Sequence, residues 1–316
     1  MTDILITAPM PDVERALDAR FTLHRLWQAP DRAAFLAQVG PAIAGLAVSS
    51  SGGPLGDDLL GHLPNLQIAA SFGVGYDHVD LHAITARRLV VTNTPGVLTD
   101  EVADLTLGLL LATLRQIPAG DRHVRGGLWG QQPFPLSPSL RGRTVGILGL
   151  GDIGLATARR LEGFGVEIAY HARHAKPVPY AYYESPVALA QAVDVLIVLT
   201  PGGDATRHLV GAAVLTALGP DGVLINVARG SVVDTEALIE ALQNGTILSA
   251  GLDVVEHEPR VPQALIDMPQ VVVLPHVGSA SVRTRAAMSA LVVDNLVSWF
   301  DTGKPLTPIA ESQPFL

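Results

Sequence analysis

Thr144-Val145-Gly146-Ile147-Leu148-Gly149-Leu150-Gly151-Asp152-Ile153-Gly154 is the stretch that decides how this chain reads. A short apolar run ends in the spacing Gly149-x-Gly151-x-x-Gly154, and a segment of helical period, Gly154–Phe164, leaves it. Strand, glycine turn and helix in that order bring backbone close to a phosphate. Gly149 allows the tight turn, Gly151 the approach of backbone to a pyrophosphate, and Gly154 the packing of helix on strand. The N–H groups at Asp152 and Ile153, on the positive end of the helix, then hold the phosphates. In a chain with 31 glycines the spacing alone is weak, and its strand-to-helix context is what carries it.

Outward from this turn the same alternation continues. Ile4–Ile6, Gly45–Val48, Gln67–Ala70, Val166–Tyr170, Val193–Leu199, Gly222–Asn226 and Val271–Leu274 are apolar runs, separated by helical stretches such as Thr235–Gln243. Strands apolar throughout and separated by helices indicate parallel sheets covered on both faces, so the fold class is α/β. Two sheets are expected. One lies within residues 1–96 and closes at Thr94-Pro95-Gly96. A buried helix over residues 101–117 and a loop with Gly126, Gly127, Gly130, Pro133, Pro135 and Pro138 then lead to the second sheet at Thr144. A last amphipathic helix, Val282–Asp301, is expected to pack on the first sheet or at the joint between the domains.

Composition narrows the function. The 316 residues hold 30 acidic and 21 basic side chains, a formal net charge of −9, with 48% hydrophobic and 16% charged residues and no cysteine. That balance excludes a disordered chain and argues against a duplex-coating nucleic-acid binder. The absence of cysteine removes disulfides, thiolate metal sites and a thiol nucleophile, and no metal site is expected. The start carries Asp3 where a signal peptide would be positive, and Leu105–Leu114 is too short for a membrane span. The expectation is a cytoplasmic protein with no membrane partner.

The second strand of the nucleotide unit reads Val166-Glu167-Ile168-Ala169-Tyr170-His171-Ala172-Arg173-His174. An NAD site wants an acid about 20 residues beyond the glycines, to bond the ribose hydroxyls. Ala172 stands there instead, followed by Arg173 and His174, and Glu167 comes too early on the strand. Without a carboxylate to repel it, a 2′-phosphate can be gripped by Arg173, so NADPH is expected in preference to NADH. A solvated basic loop is the plainer account of these residues.

Three later segments put reactive side chains after strand-like runs, where open α/β sheets place their sites. They are Asn226-Val227-Ala228-Arg229-Gly230, Gly251-Leu252-Asp253-Val254-Val255-Glu256-His257-Glu258-Pro259 and Pro275-His276-Val277-Gly278-Ser279. Moving hydride onto a keto group requires a proton for its oxygen and a cation for a neighbouring carboxylate. His276 can give the proton, Glu258 can orient it and stabilise the imidazolium, and Arg229 can hold the acid end. Taken singly, Arg229 also reads as a surface cation, Glu258 as a loop acid and His276 as a loop histidine. Their order downstream of the glycine turn favours the catalytic account. Apart from His174 beside Arg173, the other eight histidines receive no role.

With Gly73-Val74-Gly75-Tyr76-Asp77-His78-Val79-Asp80 and Asn93-Thr94-Pro95-Gly96 added, the chain resembles the D-isomer-specific 2-hydroxyacid dehydrogenases. Within them it looks like the NADPH-dependent glyoxylate/hydroxypyruvate reductases and hydroxyphenylpyruvate reductases. The resemblance implies two Rossmann-like domains, with a nucleotide domain (97–281) inserted into a discontinuous flavodoxin-like substrate domain (1–96 and 282–316). It implies Arg229, Glu258 and His276 as the active group, with Val74 and Gly75 N–H groups receiving the carboxylate of a small 2-keto acid. It further implies that Asp253 bonds the nicotinamide carboxamide, that Pro201 and Thr206 line the cofactor, and that Val227 and Gly278 lie beside the nicotinamide. A homodimer through the Leu105–Trp129 region is implied as well. Glu258 stands where formate dehydrogenases of this superfamily carry glutamine. The competing expectations are an aryl keto acid reductase and a non-catalytic dinucleotide-sensing protein.

Overall fold

The computed structural model describes residues 1–316, and the chain divides into two compact units. One comprises Met1–Leu98 with Ser281–Leu316, the other Thr99–Ala280.

The first unit carries β1 (Thr2–Ile6), β2 (Phe21–Arg25), β3 (Ile43–Val48), β4 (Ile68–Ser71) and β5 (Val90–Thr92). All pair in parallel in the flavodoxin-like order β2-β1-β3-β4-β5. β4 and β5 are buried along their whole length, as strands covered on both faces must be. The long helix Val282–Thr302 starts at Ser281, whose hydroxyl accepts the Thr284 N–H at 3.2 Å, and stops at Gly303 with φ 72°. Its Val292 and Leu296 share one apolar cluster with Ile4, Ile6, Ala47, Ile68 and Ala70 of the sheet. The chain then runs back along β5, where the Ile309 N–H donates to Val91 O and the Ser312 hydroxyl accepts the Val91 N–H, both at 2.9 Å. The last segment therefore completes the sheet that the first one builds.

The second unit carries β6 (Thr144–Leu148), β7 (Glu167–His171), β8 (Ala181–Tyr182), β9 (Val195–Val198), β10 (Val223–Asn226), β11 (Ser249–Leu252) and β12 (Val271–Val273). Their order is β12-β11-β10-β9-β6-β7-β8, all parallel. This is the Rossmann order extended by one edge strand. β6 pairs with β7 on one side and β9 on the other, so the sheet reverses its growth there and opens a crevice at the carboxyl ends of β6 and β9. The helix Thr99–Leu114 packs on β11, and Gly251 permits it. A Cβ at Gly251 would collide with Thr113 Oγ1 and lie 3.0 Å from Leu109 Cγ.

The structure departs from the sequence reading in several places. The helix expected over 101–117 spans Thr99–Leu114 and breaks at Gln116, whose φ is 50°. A second helix, Ile117–Arg125, follows at a bend of 59°. Pro118 explains the break, because a residue without an N–H starts a helix but cannot continue one. β2, β5 and β8 were not among the expected runs. β2 and β8 are edge strands, half polar or only two residues long, and β5 has three residues. No single helix is long and apolar enough to cross a membrane. The apolar residues Val102, Leu107, Leu109, Leu110 and Leu114 of the bent pair are buried.

Candidate active site

The glycine turn comes first along the chain. Gly149 has φ 103°, and a Cβ there would lie 2.6 Å from the Thr200 N at the end of β9. Only glycine fits both conditions. A Cβ at Gly154 would collide with the Gly149 carbonyl, so the helix sits directly on the turn. At Gly151 a Cβ would meet nothing within 4 Å, and this residue caps the helix Asp152–Glu162 without a side-chain hydrogen bond. The first-turn N–H groups, including those of Asp152 and Ile153, thus lack a side-chain cap, beside open space that a pyrophosphate can enter. The residues present fit a dinucleotide.

The end of β7 lies beside this turn, since the Gly149 N–H donates to His171 O at 2.9 Å. Ala172 follows half-buried, and Arg173 and His174 are exposed. After β9, the Thr206 hydroxyl donates to Pro201 O at 2.7 Å and also approaches Gly203 O at 3.1 Å, closing Pro201–Thr206 into one compact turn.

Three turns at the carboxyl ends of β10, β11 and β12 carry the reactive groups. Buried Asn226 shapes the first. Its Oδ1 accepts the Ala228 N–H at 3.1 Å and its Nδ2 donates to Arg229 O at 3.0 Å. Val227 between them is buried, and Arg229 Nη1 donates to Ala228 O at 2.8 Å. Next, a Cβ at Gly230 would collide with the Val255 carbonyl, so glycine lets the Arg229 turn press onto the turn that carries Glu258.

Asp253 organises the third turn. Its side chain is buried, with Oδ1 accepting the Val277 N–H at 2.7 Å and Oδ2 the Gly278 N–H at 2.8 Å. Its carbonyl accepts the His276 N–H at 2.9 Å. His276 is thereby held at φ 54°, in the left-handed region that L-residues reach only at a cost of about 1–3 kcal/mol. Sequence reasoning gave Asp253 only a cofactor contact, and its grip on the histidine turn is a structural finding. A carboxylate oxygen has more than one lone pair, so the two duties are compatible.

His276 Nδ1 lies 2.8 Å from Glu258 Oε2, while Glu258 Oε1 accepts the Val255 N–H at 3.2 Å. Burial pushes the Glu258 carboxyl up, and the hydrogen bond and charge of His276 oppose it. With the Val255 N–H and the Arg229 charge, they hold Glu258 below the usual carboxylate range. An ionised Glu258 makes Nδ1 the donor and leaves Nε2 for proton exchange. The side chains are 41% and 37% exposed, so the pair is reachable from outside.

A further chain of contacts escaped the sequence. Glu256 Oε1 accepts from both Arg207 Nη2 and His208 Nε2 at 2.8 Å, which ties the Thr206 turn to the Glu258 turn. Burial raises the Glu256 carboxyl, yet His208, Thr235 and Arg207 together bring it below its ordinary value. His208, given no role above, is thus a strut, and two acids at alternate positions, Glu256 and Glu258, were the available signal. In the other unit, Asn93 Nδ2 donates to Val74 O at 2.8 Å. In a trans peptide this turns the Gly75 N–H away from Asn93.

Residues 107–278 match the NAD binding domain of the D-isomer specific 2-hydroxyacid dehydrogenases. A glyoxylate/hydroxypyruvate reductase A of Arabidopsis thaliana is 46% identical over 97% of this chain and 98% of its own length. A hydroxyphenylpyruvate reductase of Plectranthus scutellarioides is 47% identical over the same shares. Among solved structures, an NADPH-dependent glyoxylate/hydroxypyruvate reductase from Sinorhizobium meliloti, in complex with NADP and malonate, is 54% identical. It superposes with a TM-score of 0.93 over 98% of this chain and 97% of that one. Because the likeness runs through the glycine turn, the three reactive turns and the five-stranded unit alike, the chain belongs to the D-isomer specific 2-hydroxyacid dehydrogenase family.

Proposed function

We propose that this enzyme reduces a small 2-keto acid, glyoxylate or hydroxypyruvate, to the D-2-hydroxy acid with NADPH. The observation that carries the reading is the His276–Glu258 pair at 2.8 Å, with Arg229 close enough to bias the same carboxylate. Nicotinamide in its reduced form supplies the hydride. Protonated His276 gives the Nε2 proton to the carbonyl oxygen, and Glu258 stabilises the imidazolium until that transfer. Arg229 holds the substrate carboxylate, and the Val74 and Gly75 N–H groups are its further donors, with Asn93 fixing the peptide that carries the Gly75 N–H. Asp253 keeps the His276 turn in register and meets the carboxamide of the cofactor. Pro201, Thr206, Val227 and Gly278 line the cofactor.

The coenzyme preference rests on Arg173 and His174 after β7, with Ala172 where an NAD site would carry an acid. A guanidinium–phosphate contact is worth about 1.5–3 kcal/mol, so kcat/KM with NADPH should exceed that with NADH by about 10-fold or more. Spectrophotometric assays with both coenzymes and glyoxylate, hydroxypyruvate and 4-hydroxyphenylpyruvate test the whole reading. Higher kcat/KM for the small acids with NADPH supports it. A clear NADH preference removes the coenzyme assignment, preference for the aryl acid moves the substrate class, and no turnover of any keto acid leaves a dinucleotide-sensing protein. His276→Gln should lower kcat by about 10²–10⁴, the usual worth of a general acid, with NADPH affinity nearly unchanged. Turnover like the parent enzyme's would refute the role.

We also propose a homodimer formed through the Leu105–Trp129 region. It is supported by exposed apolar side chains there and just beyond, Ile117 at 55%, Trp129 at 79% and Leu136 at 100%. Light scattering should return twice the 33.1 kDa chain mass, and the single-chain mass would contradict the proposal.

A further inference from the structure

The loop that carries Arg173 and His174 is not held by the sheet alone. Tyr170, the last buried residue of β7, is 1% exposed, and its phenol reaches out of the strand to the far end of that loop. The hydroxyl accepts the Lys176 N–H at 2.7 Å and approaches the Lys176 carbonyl, to which it donates, at 3.3 Å. Tyr182 of β8, the register partner of Tyr170, donates its hydroxyl to the Ala172 carbonyl at 3.3 Å. The two rings lie 5.4 Å apart, and Tyr182 stacks over His171 at an interplanar angle of 16°. His171 Nδ1 in turn lies 2.8 Å from Tyr183 O, which fixes the strand end on which the loop begins. Both ends of Ala172–Lys176 are therefore fastened by phenol hydroxyls, while Arg173 and His174 between them face solvent.

A long cation grips an anion well only when its backbone is already in place, because ordering a loop on binding subtracts from affinity. We propose that Tyr170 and Tyr182 are specificity-determining positioning residues. Their hydroxyls pin the Ala172–Lys176 loop so that Arg173 and His174 meet the 2′-phosphate of the coenzyme. This rests on the reading of Arg173 given above. Phenylalanine would fill the same apolar space at either position and leave the loop backbone without its fastening, which separates the role of the hydroxyl from that of the ring.

Isothermal titration of the full chain with 2′,5′-ADP and with 5′-AMP measures binding with and without the 2′-phosphate, independently of turnover. Tyr170→Phe and Tyr182→Phe should each weaken 2′,5′-ADP by about 3- to 10-fold, the worth of a lost hydrogen bond, and leave 5′-AMP within about twofold. Arg173→Ala should remove most of the preference for 2′,5′-ADP, and adding Tyr170→Phe to it should cost clearly less than Tyr170→Phe costs alone, since the hydroxyl acts mainly through the arginine. Tyr182→Phe, at the less buried position, guards against a loss of folding in Tyr170→Phe. The proposal is overturned if Arg173→Ala loses the preference while both Phe variants keep it. Equal weakening of both ligands by the Phe variants also overturns it, as does an additive loss in the double variant. If Arg173→Ala keeps the full preference, the reading of Arg173 fails, and the role of the tyrosines with it.

Discussion

The carboxylate of Asp253 is the constraint on which the reactive group depends. Buried between the end of β11 and the turn after β12, it accepts two successive N–H groups, at Val277 and Gly278. Two charge-assisted bonds of this kind, with the main-chain bond from His276, are worth enough to hold that histidine in a left-handed conformation it would otherwise avoid. The orientation of His276 toward Glu258 follows from that. Glu258 is in turn fixed by the Val255 N–H, and the Val255 carbonyl is where Gly230 lets the Arg229 turn come to rest. Three turns from three strands are thus locked to one another mainly through backbone groups.

Electrostatics divides along the same lines. The chain as a whole is acidic, at −9. Where phosphates and a substrate carboxylate are proposed to bind, it offers the first-turn N–H groups after Gly151, the cations Arg173 and Arg229, and His276. Glu258 is the carboxylate in direct contact with the proposed proton donor, and His276, the Val255 N–H and the Arg229 charge together hold it below the usual carboxylate range. Net charge thus describes the outside of the molecule, whereas binding is governed by a few local charges.

Much of this was legible in the sequence, and the reasons are specific. Strands such as Val195–Val198 and Val223–Asn226 are buried on both faces and announce themselves as apolar runs. The glycine turn is readable because Gly149 and Gly154 occupy positions that any Cβ would block. Arg229, Glu258 and His276 stand out because each follows a strand. The illegible parts depend on partners far away in the chain. Two-residue β8 exists only by pairing with β7, and nothing local marks Tyr170 as a fastener of Lys176. His208 meets Glu256 across 48 positions, and the Asn93 side chain finds the Val74 carbonyl across 19. The helix break at Gln116 had a visible cause in Pro118, but a continuous apolar pattern concealed it.

The central claim is that Glu258 acts through His276, and the reductive kcat of Glu258→Gln, His276→Gln and the double variant tests it most directly. Glu258 meets His276 at 2.8 Å and serves the proposed reaction by orienting that imidazole and balancing its charge. Glu258→Gln should therefore lower kcat by about 10-fold or more, the worth of one charge-assisted hydrogen bond, and should cost nothing further once His276 is replaced. A Glu258→Gln enzyme with the parent's kcat, or a double variant that loses the full sum of the two single effects, would contradict the account.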